Sequence, residues 1–141
     1  MILPDINLLV YAYNASAPLH KQAKKWWEDC LSQEIEVGLP WVVILGYVRL
    51  ITSRIVVVDP YWPQEALGHI RSWLARLHVQ ILQPGPRHLD LLDGLMREAA
   101  PSGKLTMDSH LAALAIEHQA VLHTNDSDFS KFPGLRWANP L

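Results

Sequence analysis

Short apolar runs alternate along the chain with longer stretches whose apolar residues recur at helical spacing. Met1 to Leu3 is an apolar run closed by Pro4-Asp5, the pattern of a buried parallel strand. Asn7 to Tyr13 leads away from it as a short helix or turn. Pro18 suits the first turn of a helix running to about Leu31, with Trp27, Cys30 and Leu31 on one face. Ile35 to Leu39 reads as a second short strand. Pro40 then opens a helix from Trp41 to about Thr52, apolar on most sides and therefore buried. A strand stays open as the competing reading for Trp41 to Leu45, where β-branched residues cluster.

Pro63 begins a further helix with Leu67, Ile70, Trp73, Leu74 and Leu77 at helical spacing. Val79 to Leu82 is a strand and Pro84-Gly85-Pro86 a turn. Arg87 to Ala99 is a helix carrying Leu91, Leu92, Leu95 and Met96, ended by Pro101-Ser102-Gly103. Thr106 to His118 is helical, with a stripe of Leu111, Leu114 and Ala115 widened by Ala112, Ala113 and Ile116. Val121 to Thr124 is a strand, followed by the tight polar segment Asn125-Asp126-Ser127-Asp128. Strands alternating with helices imply an α/β chain whose central parallel sheet is covered on both faces. With no repeat, low-complexity tract or linker, one domain over residues 1–141 is expected.

Half of the 141 residues are hydrophobic, which predicts a packed core. Six tryptophans are many for this length, and some are expected at a surface that another chain covers. The formal charge of −2 is not the footprint of a protein that holds nucleic acid by net charge. Such a substrate would need a local basic patch or a metal ion. Cys30 is the single cysteine, so an intrachain disulfide and a Cys-rich metal site are both excluded. Its apolar, aromatic surroundings predict a buried structural thiol. No apolar run approaches transmembrane length, and no basic segment precedes a long apolar one at the start. A soluble cytosolic protein is the expectation.

In parallel sheets, ligands sit beyond the C-terminal ends of the strands. Asp5 and the pair Asp126/Asp128 each lie just past an apolar strand, so they can meet at that edge. Asp108 stands near the start of an apolar helix. Each has a plainer reading: Asp5 as the cap of the helix near Asn7, Asp108 as a carboxylate favoured by a helix N-terminus, Asp126 and Asp128 as turn residues. Their combination points further. Carboxylates packed together must take up protons unless a cation separates their charges. Oxygen ligands favour Mg²⁺ or Mn²⁺ over Zn²⁺. Such an ion would also let an acidic protein approach phosphates. His110 follows Asp108 by two residues and so points about 200° around the helix, away from a shared site. The seven histidines form no ligand pattern.

Leu3-Pro4-Asp5-Ile6-Asn7-Leu8-Leu9, the helix from Thr106 to Ala115, and His123-Thr124-Asn125-Asp126-Ser127-Asp128-Phe129 together resemble the PIN-domain ribonucleases of the VapC toxin type. The closing Phe132-Pro133-Gly134-Leu135-Arg136-Trp137 with Asn139-Pro140-Leu141 is similar to one VapC branch. The resemblance implies a three-layer α/β/α sandwich and Mg²⁺- or Mn²⁺-dependent cleavage of RNA phosphodiesters by an activated water. Asp5, Asp108, Asp126 and Asp128 would be catalytic, with Asp5, Asp108 and one or both of Asp126 and Asp128 on the metal. It also implies a homodimer and a cognate antitoxin that silences it.

One position departs from the pattern. The family has a Glu one turn before an Arg in the helix after the second strand. Here Gly46 takes the place of the acid and Arg49 is retained. The loss should weaken the metal site or leave more of it to water. It also motivates a second reading, a PIN-like module that binds RNA or a partner without cutting. Asn7 resembles the family's small polar residue after the first Asp, or is a surface turn residue. Thr124 and Asn125 position a ligand or water, or make ordinary strand-end contacts. Arg49 is expected to pair with a carboxylate near the site or at an interface, or to reach solvent from its helix end. Lys21, Lys24 and Lys25 read best as a solvated helix face.

Overall fold

A computed structural model describes residues 1–99 and 103–141. Five short strands form one sheet: β1 (Ile2–Pro4), β2 (Val37–Pro40), β3 (Val79–Leu82), β4 (Val121–His123) and β5 (Trp137–Ala138). Their order is β3-β2-β1-β4-β5, and every pair is parallel. The helices are α1 (Ile6–Tyr13), α2 (His20–Ser32), α3 (Trp41–Ile51), α4 (Pro63–Leu74), α5 (His88–Glu98) and α6 (Thr106–Glu117). Short 3-10 turns cover Gly103–Leu105 and Ser127–Lys131.

The strand order explains the layers. From β1 the chain steps outward through β2 to β3, then returns past β1 to β4 and β5. Right-handed crossovers place the helices of the outward steps on one face and those of the return on the other. The packing agrees: α1 lies on α2 and α3, α3 on α4, while α5 and α6 pair with each other. The result is the α/β/α sandwich. The direction of travel reverses between β1 and β4, and at such a reversal the crevice beyond the strand ends is open to a ligand.

Leu3, Leu39 and Leu122 are fully buried at the centre of the sheet. Pro4, in a central strand, sits where its missing N–H does least harm. The Ile2 N–H donates to Glu36 on the β2 side, and the Asp5 N–H donates to His123 on the β4 side. Between them Pro4 has nothing to offer β2, and β1 registers with β2 only at Ile2–Val37. Asp5 thus stays tied to β4 while the other edge opens.

The expected elements are present, the open reading of the Trp41 segment resolves to the helix, and three differences stand: the helix placed from Pro18 begins only at His20, α4 is shorter, and β5 is additional. The Trp41 segment is helical, because Pro40 ends β2 in extended backbone and α3 starts at the next residue. Helix α4 stops at Leu74, so Leu77 leaves the predicted stripe and stands fully exposed. Strand β5 was not expected; two residues are too few to show alternation. Of the predicted Pro101-Ser102-Gly103 break, residues 101 and 102 lie outside the described residues. Trp27 and Trp73 are buried and meet edge to face at 5.3 Å, whereas Trp41 and Trp62 are exposed. Cys30 is buried, and burial pushes its thiol up to about 12. Lys24 and Lys25 pair with Glu28 and Asp29 along their own exposed helix, the solvated face expected. No helix among the described residues is long and apolar enough to cross a membrane.

Candidate metal centre

Asp5 follows β1 without a loop and caps α1. Its two oxygens have separate tasks. Oδ1 accepts the Ile6 N–H at 2.7 Å, and Oδ2 accepts the Thr124 hydroxyl at 2.7 Å. The capping reading of Asp5 is therefore visible, and its second oxygen is tied to the end of β4. Thr124 is fully buried at the end of β4, and its Oγ1 also accepts the Asp126 N–H at 3.0 Å. One hydroxyl thereby fixes Asp5 and aims the segment that carries Asp126. Asp126 Oδ1 in turn accepts the Asp128 N–H at 2.9 Å, the turn contact its sequence suggested.

Asp108 enters from the first turn of α6 and is half-buried. Burial, followed by the charges of Asp5, Asp126 and Asp128, pushes its carboxyl up to about 6. Burial also raises Asp5, against the lowering effect of the Thr124 and Ile6 hydrogen bonds, and the charge of Asp126 adds to the rise. Asp108 thus feels the charges of Asp5, Asp126 and Asp128, and Asp5 feels that of Asp126. Asp126 acts on both Asp5 and Asp108, whereas Asp128 acts on Asp108 alone. Asp128 is exposed and lies 3.6 Å from Lys131 Nζ. Among the described residues no salt bridge reaches Asp5, Asp108 or Asp126.

This uncompensated, all-oxygen donor set suits a hard divalent cation. Among the described residues, no three His, Cys, Asp or Glu side chains are gathered tightly enough to enclose an ion by themselves. Mg²⁺ keeps several waters and needs only one or two carboxylates directly, so an open cluster of this kind fits it.

Other residues fall away from the cluster. His110 turns from Asp108, as its spacing required, and its Nδ1 lies 2.8 Å from His88 Nε2. Asn7 is exposed on α1. Asn125 is half-buried in the strand-end segment. Arg49 is exposed and makes no salt bridge among the described residues, so the expected carboxylate partner is not there.

Gly46 is buried on α3 and faces Ile6. A Cβ at position 46 would lie 3.0 Å from Ile6 Cγ1 and would collide with Ile6 Cδ1. An apolar side chain, and not water alone, therefore stands where the missing acid would begin. Sequence reasoning could see the gap at 46 but not its filling, because Ile6 and Gly46 meet only in the folded chain. It also missed Glu117, whose carboxylate accepts the N–H groups of Gly85 (2.7 Å) and Arg87 (3.0 Å) ahead of α5. A contact spanning about thirty residues leaves no local signature.

Comparison with known proteins agrees with this fold. A family model for the PIN domain matches residues 2–135. The chain is 40% identical over 141 residues to Ribonuclease VapC33 of Mycobacterium tuberculosis, covering 100% of this chain and 99% of the relative. Among solved structures, VapBC2 of Rickettsia felis bound to a promoter DNA fragment matches with TM-score 0.70 at 18% identity, covering 99% of this chain and 98% of that one. VapC20 of Mycobacterium tuberculosis, described as a Sarcin-Ricin loop cleaving toxin, matches with TM-score 0.68 at 16% identity, covering 96% and 99%. At those identities the structures speak for the fold alone. The sequence relative carries the rest: this chain belongs to the PIN-domain family, among its VapC ribonucleases.

Proposed function

We propose that the chain is a Mg²⁺- or Mn²⁺-dependent endoribonuclease, the toxin of a toxin–antitoxin pair, hydrolysing RNA phosphodiester bonds at the Asp5–Asp108–Asp126 cluster. The observation that supports this reading is that Thr124 ties Asp5 and the Asp126 segment together at the sheet's reversal point, where Asp108 feels the charges of both acids and no salt bridge among the described residues reaches any of the three. Asp5, Asp108 and Asp126 would hold the ion, and Asp128 would stand at its rim. When bound, the ion supplies charge stabilisation at phosphoryl oxygens and a lowered pKa for water. Thr124 holds Asp5 in one orientation, so the carboxylate needs no reorganisation when substrate arrives. The binding-module alternative is not favoured, since the named relative is a ribonuclease over its full length.

An antitoxin protein and a second copy of the chain are the proposed partners. The stretch between α3 and α4 leaves Ile55, Val58 and Trp62 exposed, an apolar surface suited to a partner. Light scattering of the purified chain, alone and with the antitoxin, measures both assemblies. The decisive test is cleavage of a panel of structured RNAs with Mg²⁺, with Mn²⁺ and with EDTA, beside Asp5→Asn. Metal-dependent cutting that the variant loses is expected. Equal cutting by the variant would overturn the assignment.

A further inference from the structure

A cavity of about 400 Å³ is lined by Ile6, Val42, Leu45, Gly46, Arg49 and Met107, two of which adjoin Asp5 and Asp108 in sequence. We propose that it is a subsite for one unpaired nucleobase of the RNA, flanking the phosphodiester that is cut. The inference rests on the ribonuclease reading and names the part of the substrate that the acids alone leave unspecified.

Its position carries the proposal. Ile6 is joined in sequence to Asp5 and donates its N–H to that carboxylate. Met107 is joined to Asp108. Two walls of the cavity are thus the immediate sequence neighbours of two of the acids, so the proposed base belongs to a nucleotide next to the phosphate that is cut. Gly46 makes the room, because a side chain there would force Ile6 out into the cavity.

Its chemistry fits the same occupant. Ile6, Val42 and Leu45 offer apolar contact to a flat ring, and Met107 adds a polarizable thioether. Leu45 and Met107 are more than half exposed, at 61% and 56%, so this apolar rim faces solvent until something covers it. Arg49 lines the same cavity without an ion pair among the described residues. A guanidinium at the edge of an apolar slot suits the phosphate joined to a lodged base. The side chains bring no other hydrogen-bonding group, so the subsite selects a ring that can leave its stack over any particular base sequence.

The test uses the native protein and a single-stranded oligoribonucleotide that it cuts, selected from a random pool. An abasic ribonucleotide replaces each of the three positions on either side of the cut bond in turn. Removal of one flanking base is expected to lower kcat/KM about tenfold or more, and removal of the others far less. Gly46→Val, which narrows the cavity, is expected to cut intact RNA at the slow rate of the abasic substrate. If that variant fails to fold, Val42→Phe fills the same space and should act alike. Cutting that ignores every abasic position would overturn the subsite and leave the nuclease standing. No cutting of the pool with Mg²⁺ or Mn²⁺ would overturn both. A Gly46→Val protein that cuts intact RNA at the native rate but no longer dimerises would assign the cavity to protein contact instead.

Discussion

The Ile6 side chain occupies the space that any side chain at Gly46 would need. The two positions are therefore energetically coupled. Alanine in a helix interior gains up to about 1 kcal/mol over glycine. Overpacking against Ile6 offsets that gain by about 1–3 kcal/mol, softened where Cδ1 swings into the neighbouring cavity. Gly46→Ala is expected to cost up to about 1 kcal/mol in the native background. In an Ile6→Ala background the same change should stabilise by about 0.5–1 kcal/mol. A double-mutant cycle by urea unfolding checks this; equal effects in both backgrounds would count against the contact.

Thr124 is predicted to be the positioning residue of the site. Thr124→Val keeps the shape but leaves a buried Asp5 oxygen and the Asp126 N–H without their partner. A loss of about 1–3 kcal/mol in stability is expected, with cleavage falling by more than the stability loss explains. Thr124→Ser retains the hydroxyl and should recover most of both. The measurements are urea midpoints and RNA cleavage at saturating Mg²⁺.

Asp108 sets a pH dependence of stability. Its folded carboxyl is pushed up to about 6 from the ordinary value of 3.8. Between those values the folded chain binds more protons than the unfolded chain, so stability falls as pH rises across that window. Asp5, raised in the same direction, adds to the fall. Metal-free protein in EDTA should thus show a urea midpoint that declines from about pH 4 to about pH 6. Asp108→Asn should flatten the curve and raise stability at pH 7 by about 1 kcal/mol or less, since the group is part-exposed and screened. Because a cation must displace that proton, apparent Mn²⁺ affinity should rise with pH across the same interval.

Cys30 should be chemically silent in the folded protein. Burial pushes its thiol up to about 12, so little thiolate exists at pH 8. Native protein is expected to react with a disulfide reagent only at its unfolding rate, and denatured protein at once. A fast native reaction would show that α2 is looser than its packing implies.

How much of this was legible in the sequence depends on the range of each contact. Asp5 and Asp126 announce themselves because apolar strands end just before them, and topology brings strand ends together. Asp108 needed the family pattern, since an acid in a first helical turn has a sufficient local reason to be there. Thr124 could be placed near the site but not given its two bonds, one of which joins residues 119 apart. Leu77 kept helical spacing past the end of α4, and spacing alone does not say where a helix stops. Of the readings open for Arg49, the one visible in the single chain is the side chain that reaches solvent near its helix end: it is exposed and makes no salt bridge among the described residues.

The bond between Thr124 and Asp5 has a consequence for synthesis. Asp5 leaves the ribosome 119 residues before the hydroxyl that orients it. Until β4 is made, β1 can pair only with β2, at a single register position, and the centre of the sheet presents a bare edge. A nascent chain can thus build α1 to α5 and still hold neither Thr124 nor Asp126. The acidic cluster is assembled only when β4 pairs with β1, so a chain stalled before Thr124 carries Asp5 and Asp108 without the contacts that join them to Asp126.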